Sequence, residues 1–180
     1  MKKDLFTLIA ELEKQFMLAK SKGLEETVDI IKALANQKGQ GEILLEFALG
    51  TMEKFSETDN FLVAHYCRQI IEKHSNSEQL KRVYKIRKNL PPLPGLRDYR
   101  IDYDGLLEIL EARKNGQCIC LAKTRYNTHP SDPLFEIIST EADSEAYVTR
   151  YRVRCRQCHT NYLVTEDSSY HFPLFQWEKK

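Results

Sequence analysis

Four cysteines occur as two closely spaced pairs, Cys118-Ile119-Cys120 and Cys155-Arg156-Gln157-Cys158. Thiolates at these spacings can complete a tetrahedral shell around one zinc ion, with each sulfur about 2.3 Å from the metal. A shell filled entirely by protein ligands keeps no open position for water or substrate, so such a zinc is structural. The two pairs therefore predict a structural zinc site formed by Cys118, Cys120, Cys155 and Cys158.

Two alternatives to four sulfur ligands stay open in the sequence. His159 directly follows the second pair and His171 lies near the end of the chain, so a histidine could replace Cys118 or Cys120. Three cysteines and one histidine are also an ordinary zinc ligand set. The second alternative is that no metal binds, and that the thiols form disulfides or are incidental buried side chains.

The compartment bears on the choice between metal and disulfides. The charged start of the chain is followed by no secretory apolar stretch, and no run of about 18 apolar residues occurs. We therefore expect a cytoplasmic protein without a membrane partner, in a reducing environment that favours metal binding over disulfides. A fifth cysteine, Cys67, falls in a helical pattern and is expected to be a small buried apolar side chain.

The composition fits one or two compact domains. The chain has 180 residues, of which 42% are hydrophobic, and its formal net charge is +1. A charge so close to zero gives no overall argument for binding nucleic acid or membranes, so any charged partner must be inferred from local clusters.

The first half of the sequence predicts a series of amphipathic helices. One apolar stripe begins at Leu5 and ends before Gly23, a residue suited to stop a helix. Three similar segments follow, with capping residues offered by 56–59 before the fourth, and 77–89 predicts a fifth helix that is strongly basic. An antiparallel bundle or HEAT-like helical hairpins would bury these stripes.

Prolines and a glycine between Pro91 and Gly95 predict a linker, because neither a helix nor a central strand can continue through them. The expected organisation is a helical domain at 1–90, a linker at 91–99 and a second domain at 100–180. In the second domain Asp104 is expected to cap a short helix that Gly116 ends. Beyond it, 118–126, 134–139, 145–155 and 161–165 have strand-like composition.

Alternation along 145–155 gives the sharpest feature outside the cysteines. Arg150, Arg152 and Arg154 fall on one face of the predicted strand at intervals of about 6.6 Å, and could bind phosphates or a partner's carboxylates. The alternative is a solvated face on which glutamates such as Glu136 and Glu141 pair across strands. With the helices, these strands predict an α+β protein whose C-terminal part is a small antiparallel, zinc-ribbon-like sheet.

Catalytic motifs do not stand out. His129, Ser131 and Asp132 share one proline-rich loop, but a triad is defined by spatial geometry and not by closeness in sequence. The chain also lacks a glycine-rich nucleotide fingerprint, since Gly39-Gln40-Gly41 has no following glycine and lysine at the required spacing. We therefore expect a protein that binds and does not catalyse.

The C-terminal segment resembles the zinc-ribbon-like domains of certain small bacterial immunity proteins, over roughly the last 65 residues counted from Cys118. The residues that carry the resemblance are Tyr151-Arg152-Val153-Arg154-Cys155-Arg156-Gln157-Cys158-His159-Thr160-Asn161-Tyr162-Leu163-Val164-Thr165-Glu166, then Tyr170-His171-Phe172-Pro173 and Trp177. A glycine often follows the second CxxC cysteine in such domains, and His159 stands there in this chain. The resemblance does not cover the helical half.

Two functions follow as expectations. The resemblance implies an antidote that neutralises a cognate toxin protein in the cytoplasm by one-to-one binding, with Arg150, Arg152 and Arg154 as candidate contacts. The alternative is a nucleic-acid-binding zinc ribbon, in which these arginines and the basic helix neutralise phosphates. The balanced net charge favours the first function.

Overall fold

This computed structural model of the chain describes residues 5–37, 39–56, 60–91, 100–126, 128–169 and 173–180. Seven α-helices precede a four-stranded antiparallel sheet in the described residues, which confirms the predicted α+β class. None of the described helices is both long enough and apolar enough to cross a membrane. The helices are α1 Leu5–Lys22, α2 Leu24–Asn36, α3 Gly41–Glu53, α4 Phe61–His74, α5 Leu80–Asn89, α6 Arg100–Lys114 and α7 Cys120–Thr124.

Local signals explain several helix boundaries. Gly23 adopts a φ of 141°, which a side chain would disfavour, and it separates α1 from α2 as the sequence predicts. The side chain of Asn60 caps α4 by accepting a hydrogen bond from the Leu62 N–H at 2.7 Å. Most of the capping residues expected at 56–59 lie outside the described residues. Asn76 and Gln79 form a capping box around a single 3-10 turn that leads into α5.

The prediction that Asp104 caps a helix is wrong. Helix α6 begins at Arg100, so Asp104 lies one turn inside it. Its carboxylate instead accepts two hydrogen bonds from Arg87 of α5, at 2.7 Å and 3.0 Å. A helix interior tolerates this aspartate because the arginine on the neighbouring helix pairs with its charge.

The chain divides into two compact units, a helical unit at Met1–Lys114 and a sheet unit at Asn115–Lys180. Helix α6 therefore belongs with the other helices, whereas the sequence analysis placed it in the second domain. The reason is its apolar face: Tyr103, Leu106 and Leu110 are buried in the same core as the residues of α3 and α4. The linker predicted at 91–99 falls almost entirely outside the described residues and stays a prediction.

The sheet unit is built from four consecutive antiparallel strands in the order β1-β2-β3-β4. The strands are β1 Phe135–Asp143, β2 Val148–Cys155, β3 Asn161–Asp167 and β4 Leu174–Lys179. A β-bulge interrupts the pairing of β1 with β2 between Ile137 and Ser139. Strand β4 was not predicted, although its alternating Phe175 and Trp177 pack towards the core of this unit.

The strand expected at 118–126 is not formed. The structure has the short helix α7 there, starting at Cys120, while Cys118 precedes it without regular structure. An extended strand would space residues 118 and 120 by about 6.6 Å, which is too far apart for two sulfurs to meet one ion without a turn. The turn into α7 brings the pair together instead.

Candidate metal centre

The four predicted cysteines meet at one place in the sheet unit. Their sulfur atoms all lie within 4.8 Å of one another, and among the described residues they form the one cluster with metal-ligand chemistry. Cys118 and Cys120 come from the turn into α7, Cys155 is the last residue of β2, and Cys158 lies in the turn that leads to β3.

The sulfur spacing fits a metal ion and not a disulfide. Cys118 Sγ lies 3.5 Å from Cys155 Sγ, and Cys120 Sγ lies 3.5 Å from Cys158 Sγ. A disulfide needs about 2.05 Å between its sulfurs, and all five cysteines are free thiols. Four sulfurs placed tetrahedrally at 2.3 Å from an ion would be about 3.8 Å apart. The four sulfurs could therefore hold a metal ion after small shifts in their positions.

The turn between β2 and β3 is closed by its backbone. The His159 N–H donates to the Cys155 carbonyl at 2.9 Å, and the Cys155 N–H donates to the Thr160 carbonyl at 2.8 Å. To make this turn, His159 adopts a φ of 59°, in the left-handed region that favours glycine. A glycine at this position would adopt the same conformation without strain from a side chain.

Hydrogen bonds to sulfur surround the cluster. The buried Tyr162 hydroxyl lies 3.1 Å from Cys120 Sγ, and the Thr160 hydroxyl lies 3.2 Å from Cys158 Sγ. Backbone N–H groups add to these bonds, because Cys120 donates to the sulfur of Cys118 and Thr160 donates to the sulfur of Cys158. In both cases the donating N–H belongs to the residue two positions after the cysteine. Such donors orient the sulfurs and stabilise them as thiolates.

The pKa values of the thiols follow their surroundings. Burial raises the pKa of the Cys118 thiol and that of the Cys120 thiol. Burial also acts to raise the pKa of Cys158, but hydrogen bonds from Thr160, Cys118 and Cys120 outweigh it and lower the value to about 6. A bound dication would favour the thiolate form at all four positions.

Aromatic side chains form one wall of the centre. The rings of Phe135, Tyr162 and Trp177 pack together with centroid separations of 4.6 to 6.0 Å. Cys120 and Cys155 are buried in this core, whereas Cys158 is exposed. The Trp177 indole N–H also donates to the Thr128 carbonyl at 3.0 Å, which ties β4 to the loop after α7. The centre is therefore part of the core of the sheet unit.

Histidines do not join the cluster in the part of the chain that the structure describes. His159 is exposed and is not among the residues that meet at the centre, although it follows a ligand in sequence. His171 lies outside the described residues, so its role as a replacement ligand stays a prediction. Cys67 is fully buried in the core of the helical unit, where burial raises its pKa well above the ordinary thiol range.

The arginine row lies on the sheet face opposite the cysteine core. Arg150, Arg152 and Arg154 are exposed, and the residues that alternate with them along β2 are half-buried or buried. Arg154 forms an ion pair with Glu136 of β1 at 2.8 Å, and Arg150 stands across from Glu141 in the strand register. The neighbours of Arg152 across the strands are Ser139 and Leu163, which carry no charge.

Sequence reasoning missed the residues that support the sulfurs. Tyr162 and Thr160 follow the CxxC pair within seven residues, so their closeness in sequence was a usable signal. Which of their hydroxyls would reach a sulfur depends on the strand register and on the turn at His159, and neither is readable from spacing alone.

Comparisons with protein-family models, with curated proteins and with solved structures return no significant match for this chain. The fold and the site therefore define the protein only as an α+β chain whose sheet unit carries a four-cysteine cluster able to hold a metal ion.

Proposed function

We propose that the four-cysteine cluster binds zinc as a structural ion. A tetrahedral set of four thiolates is typical of zinc or iron–sulfur sites, and the sulfur spacing fits one small ion. All four ligand positions are filled by Cys118, Cys120, Cys155 and Cys158, so the ion has no free position for substrate. Its role is to hold the turn into α7 against the β2–β3 turn.

We further propose that the protein is a cytoplasmic binding protein of the immunity type, which neutralises a toxin protein by one-to-one association. The observation that carries this proposal is the open face of the sheet, where Arg150, Arg152 and Arg154 are exposed and the core lies on the other side. Arginine is enriched at protein interfaces, and its planar fork suits a partner's carboxylates. The resemblance of the C-terminal segment to immunity proteins points in the same direction.

The surroundings of the arginines favour a role in contacts over a purely solvated face. Within the described ranges, Arg150 and Arg152 make no ion pair, whereas Arg154 is paired with Glu136. Among the described residues, two of the three side chains are therefore available to a partner without first breaking an ion pair. Cytoplasmic location is part of the proposal, supported by five cysteines that are all free thiols.

One loop contact resembles catalytic geometry and is better explained as local turn structure. The Ser131 hydroxyl lies 2.7 Å from His129 Nδ1, but the Ser131 backbone N–H donates to the same nitrogen at 3.0 Å. Both carboxylate oxygens of Asp132 are used elsewhere, one by Lys123 and the other by the Leu134 N–H. Asp132 therefore does not orient the histidine as a triad requires, and the proposal is binding without turnover.

The proposal is tested with the product of the reading frame directly next to the gene. Co-expression should protect cells from that product, and the two purified proteins should form a complex of one chain each. Protection should be complete near equimolar amounts, with no covalent change in the partner. A neighbouring product that is not toxic or is not bound, or protection by a small catalytic fraction, contradicts the proposal.

The arginine face is tested in the same complex with the triple variant Arg150→Ser, Arg152→Ser and Arg154→Ser. We expect slower association, most of all at low salt, because charges at the edge of an interface mainly steer the encounter. The matched control is Lys14→Ser, Lys32→Ser and Lys114→Ser, which removes the same charge from exposed positions of the helical unit. Equal association rates for both triple variants would exclude the arginine face from the interface.

A further inference from the structure

The basic residues of α5 divide into two sets that the sequence alone does not separate. Arg82 bonds to Glu46 and Glu53 of α3 at 2.7 to 3.2 Å, and Arg87 bonds to Asp104 of α6. These two arginines connect α5 to its neighbours, and acidic groups of the same unit compensate their charges. Neither is available for a partner without loss of these bonds.

The lysines of α5, unlike its two arginines, extend into solvent. Lys81, Lys85 and Lys88 are exposed and stand at the helical spacing i, i+4 and i+7, so they share one stripe about 10 Å long. In the part of the chain that the structure describes, they make no hydrogen bond or ion pair. The helix carries no acidic residue, and the nearest in sequence is Glu78 in the preceding 3-10 turn. Within the described residues, the stripe is therefore a local excess of positive charge without an acidic partner.

Tyr84 stands within the same stripe. Its side chain is 64% exposed, three residues after Lys81 and four before Lys88. Among the described residues it has no hydrogen bond or ring contact that would explain its position. An aromatic ring presented to solvent between lysines offers a flat surface for stacking beside the groups that neutralise charge.

We propose that this lysine face, formed by Lys81, Tyr84, Lys85 and Lys88, binds single-stranded nucleic acid. The lysines would contact consecutive phosphates, and Tyr84 would stack on an unpaired base. Phosphate contacts of this kind carry no sequence information, so binding should be insensitive to sequence. This inference goes beyond the proposed function, because it assigns a second ligand to the helical unit and does not involve the arginine face of β2.

An acidic protein surface is the competing occupant, and the residue types argue against it. Lysine is depleted in protein interfaces relative to the remaining surface, whereas it is an ordinary phosphate ligand in nucleic-acid complexes. The arginines of α5, which would suit carboxylates best, are already bonded within the helical unit. The residues of α5 that remain available to a partner are therefore lysines beside an aromatic ring. Proteins that bind single-stranded nucleic acid use this combination.

The test is fluorescence anisotropy of the full chain with a labelled oligo(dT) of about twenty nucleotides. Single strands lose affinity with a slope of about −0.7 per neutralised phosphate, so three lysines predict a loss of about 20-fold between about 50 and about 200 mM salt. The variant Lys81→Gln, Lys85→Gln and Lys88→Gln should lose most of the binding and lower the salt slope by about 2. Tyr84→Ser should weaken binding about tenfold and leave the slope unchanged.

The matched control is Lys14→Gln, Lys32→Gln and Lys114→Gln, which removes the same charge elsewhere on the helical unit and should bind as the unaltered chain does. Circular dichroism melting should show both triple variants folded, because all six lysines are exposed. Absence of binding by the unaltered chain at the lower salt, or equal losses in both triple variants, overturns the proposal. So does tighter binding of a labelled oligoglutamate peptide, which would assign the face to an acidic protein.

Discussion

Among single residues, the groups around the four sulfurs matter to the candidate metal centre as much as the sulfurs themselves. Cys120 and Cys155 are buried among aromatic rings, whereas Cys158 is exposed. Tyr162 and Thr160 each place a hydroxyl within 3.2 Å of a sulfur. Removal of a group that hydrogen-bonds to a metal ligand commonly lowers metal affinity 10- to 100-fold. These two hydroxyls should therefore contribute measurably to zinc affinity.

Tyr162→Phe should lower zinc affinity about tenfold, since it deletes the hydroxyl at Cys120 and keeps the buried ring. Competition of the purified protein with a chromogenic chelator measures this affinity. Tyr147→Phe is the control, because that side chain is 65% exposed and lies in the β1–β2 turn. Equal affinities for the two variants would show that the Tyr162 hydroxyl does not support the centre.

His159→Gly should stabilise the sheet unit by about 0.5–1 kcal/mol, because glycine adopts the left-handed conformation without the strain of a side chain. His159→Ala keeps a Cβ in the same conformation and should give no comparable gain. Thermal unfolding of the zinc-loaded protein measures both variants. Loss of zinc in both variants would contradict this account and would identify His159 as a ligand.

At the scale of elements, most helices could be predicted because each carries a regular apolar stripe and a recognisable end. Gly23 illustrates this, since its sequence position and its φ of 141° agree. The errors arise where tertiary contacts override local preference. Asp104 offers a cap by composition but pairs with Arg87 inside α6, and residues 118–126 are β-prone but turn into α7 to bring two sulfurs together.

The contact between α4 and α3 predicts a pH-dependent stability. His74 of α4 packs closely against Gly41, the first residue of α3, because a Cβ added at Gly41 would lie only 2.6 Å from His74 Nδ1. The other ring nitrogen, His74 Nε2, is buried without a hydrogen-bond partner in the described structure. Burial, and then the nearby charge of Lys73, lower the pKa of His74. Because an unfolded histidine has a pKa of about 6.5, the unfolded chain takes up a proton that the folded chain disfavours.

The free energy of unfolding should therefore fall as the pH decreases from about 7 towards the folded pKa of His74. His74→Asn should reduce this fall, since asparagine does not titrate. Urea unfolding followed by circular dichroism at several pH values measures the difference between the two proteins. Parallel pH profiles would show that His74 does not titrate differently in the folded state.

At the scale of the whole molecule, the sequence predicts the class, the order of the two parts and the four sulfurs, but not where one unit ends. Helix α6 follows the proline-rich segment and looks separate in sequence, yet its apolar face completes the helical core. The split of the basic residues of α5 into paired arginines and exposed lysines also depends on which helices pack together. Both features depend on how the helices pack within their unit, which local sequence patterns do not reveal.

The sheet unit has a small core, so the proposed metal ion would contribute strongly to its stability. Among the described residues, six form its buried cluster, and two of these are cysteines of the candidate centre. Small cores supply little stability by themselves, so a structural metal commonly contributes much of the folding free energy. The helical unit has its own larger core and contains none of the four sulfurs.

The zinc content of the intact protein decides whether the four cysteines form a structural zinc site. Native mass spectrometry of protein expressed with ample zinc should show one zinc ion per chain. The variant Cys155→Ser should lose it, whereas Cys67→Ser, which changes a buried thiol of the helical unit, should keep it. A metal-free chain, or a Cys155→Ser variant that still carries one zinc per chain, would contradict the account.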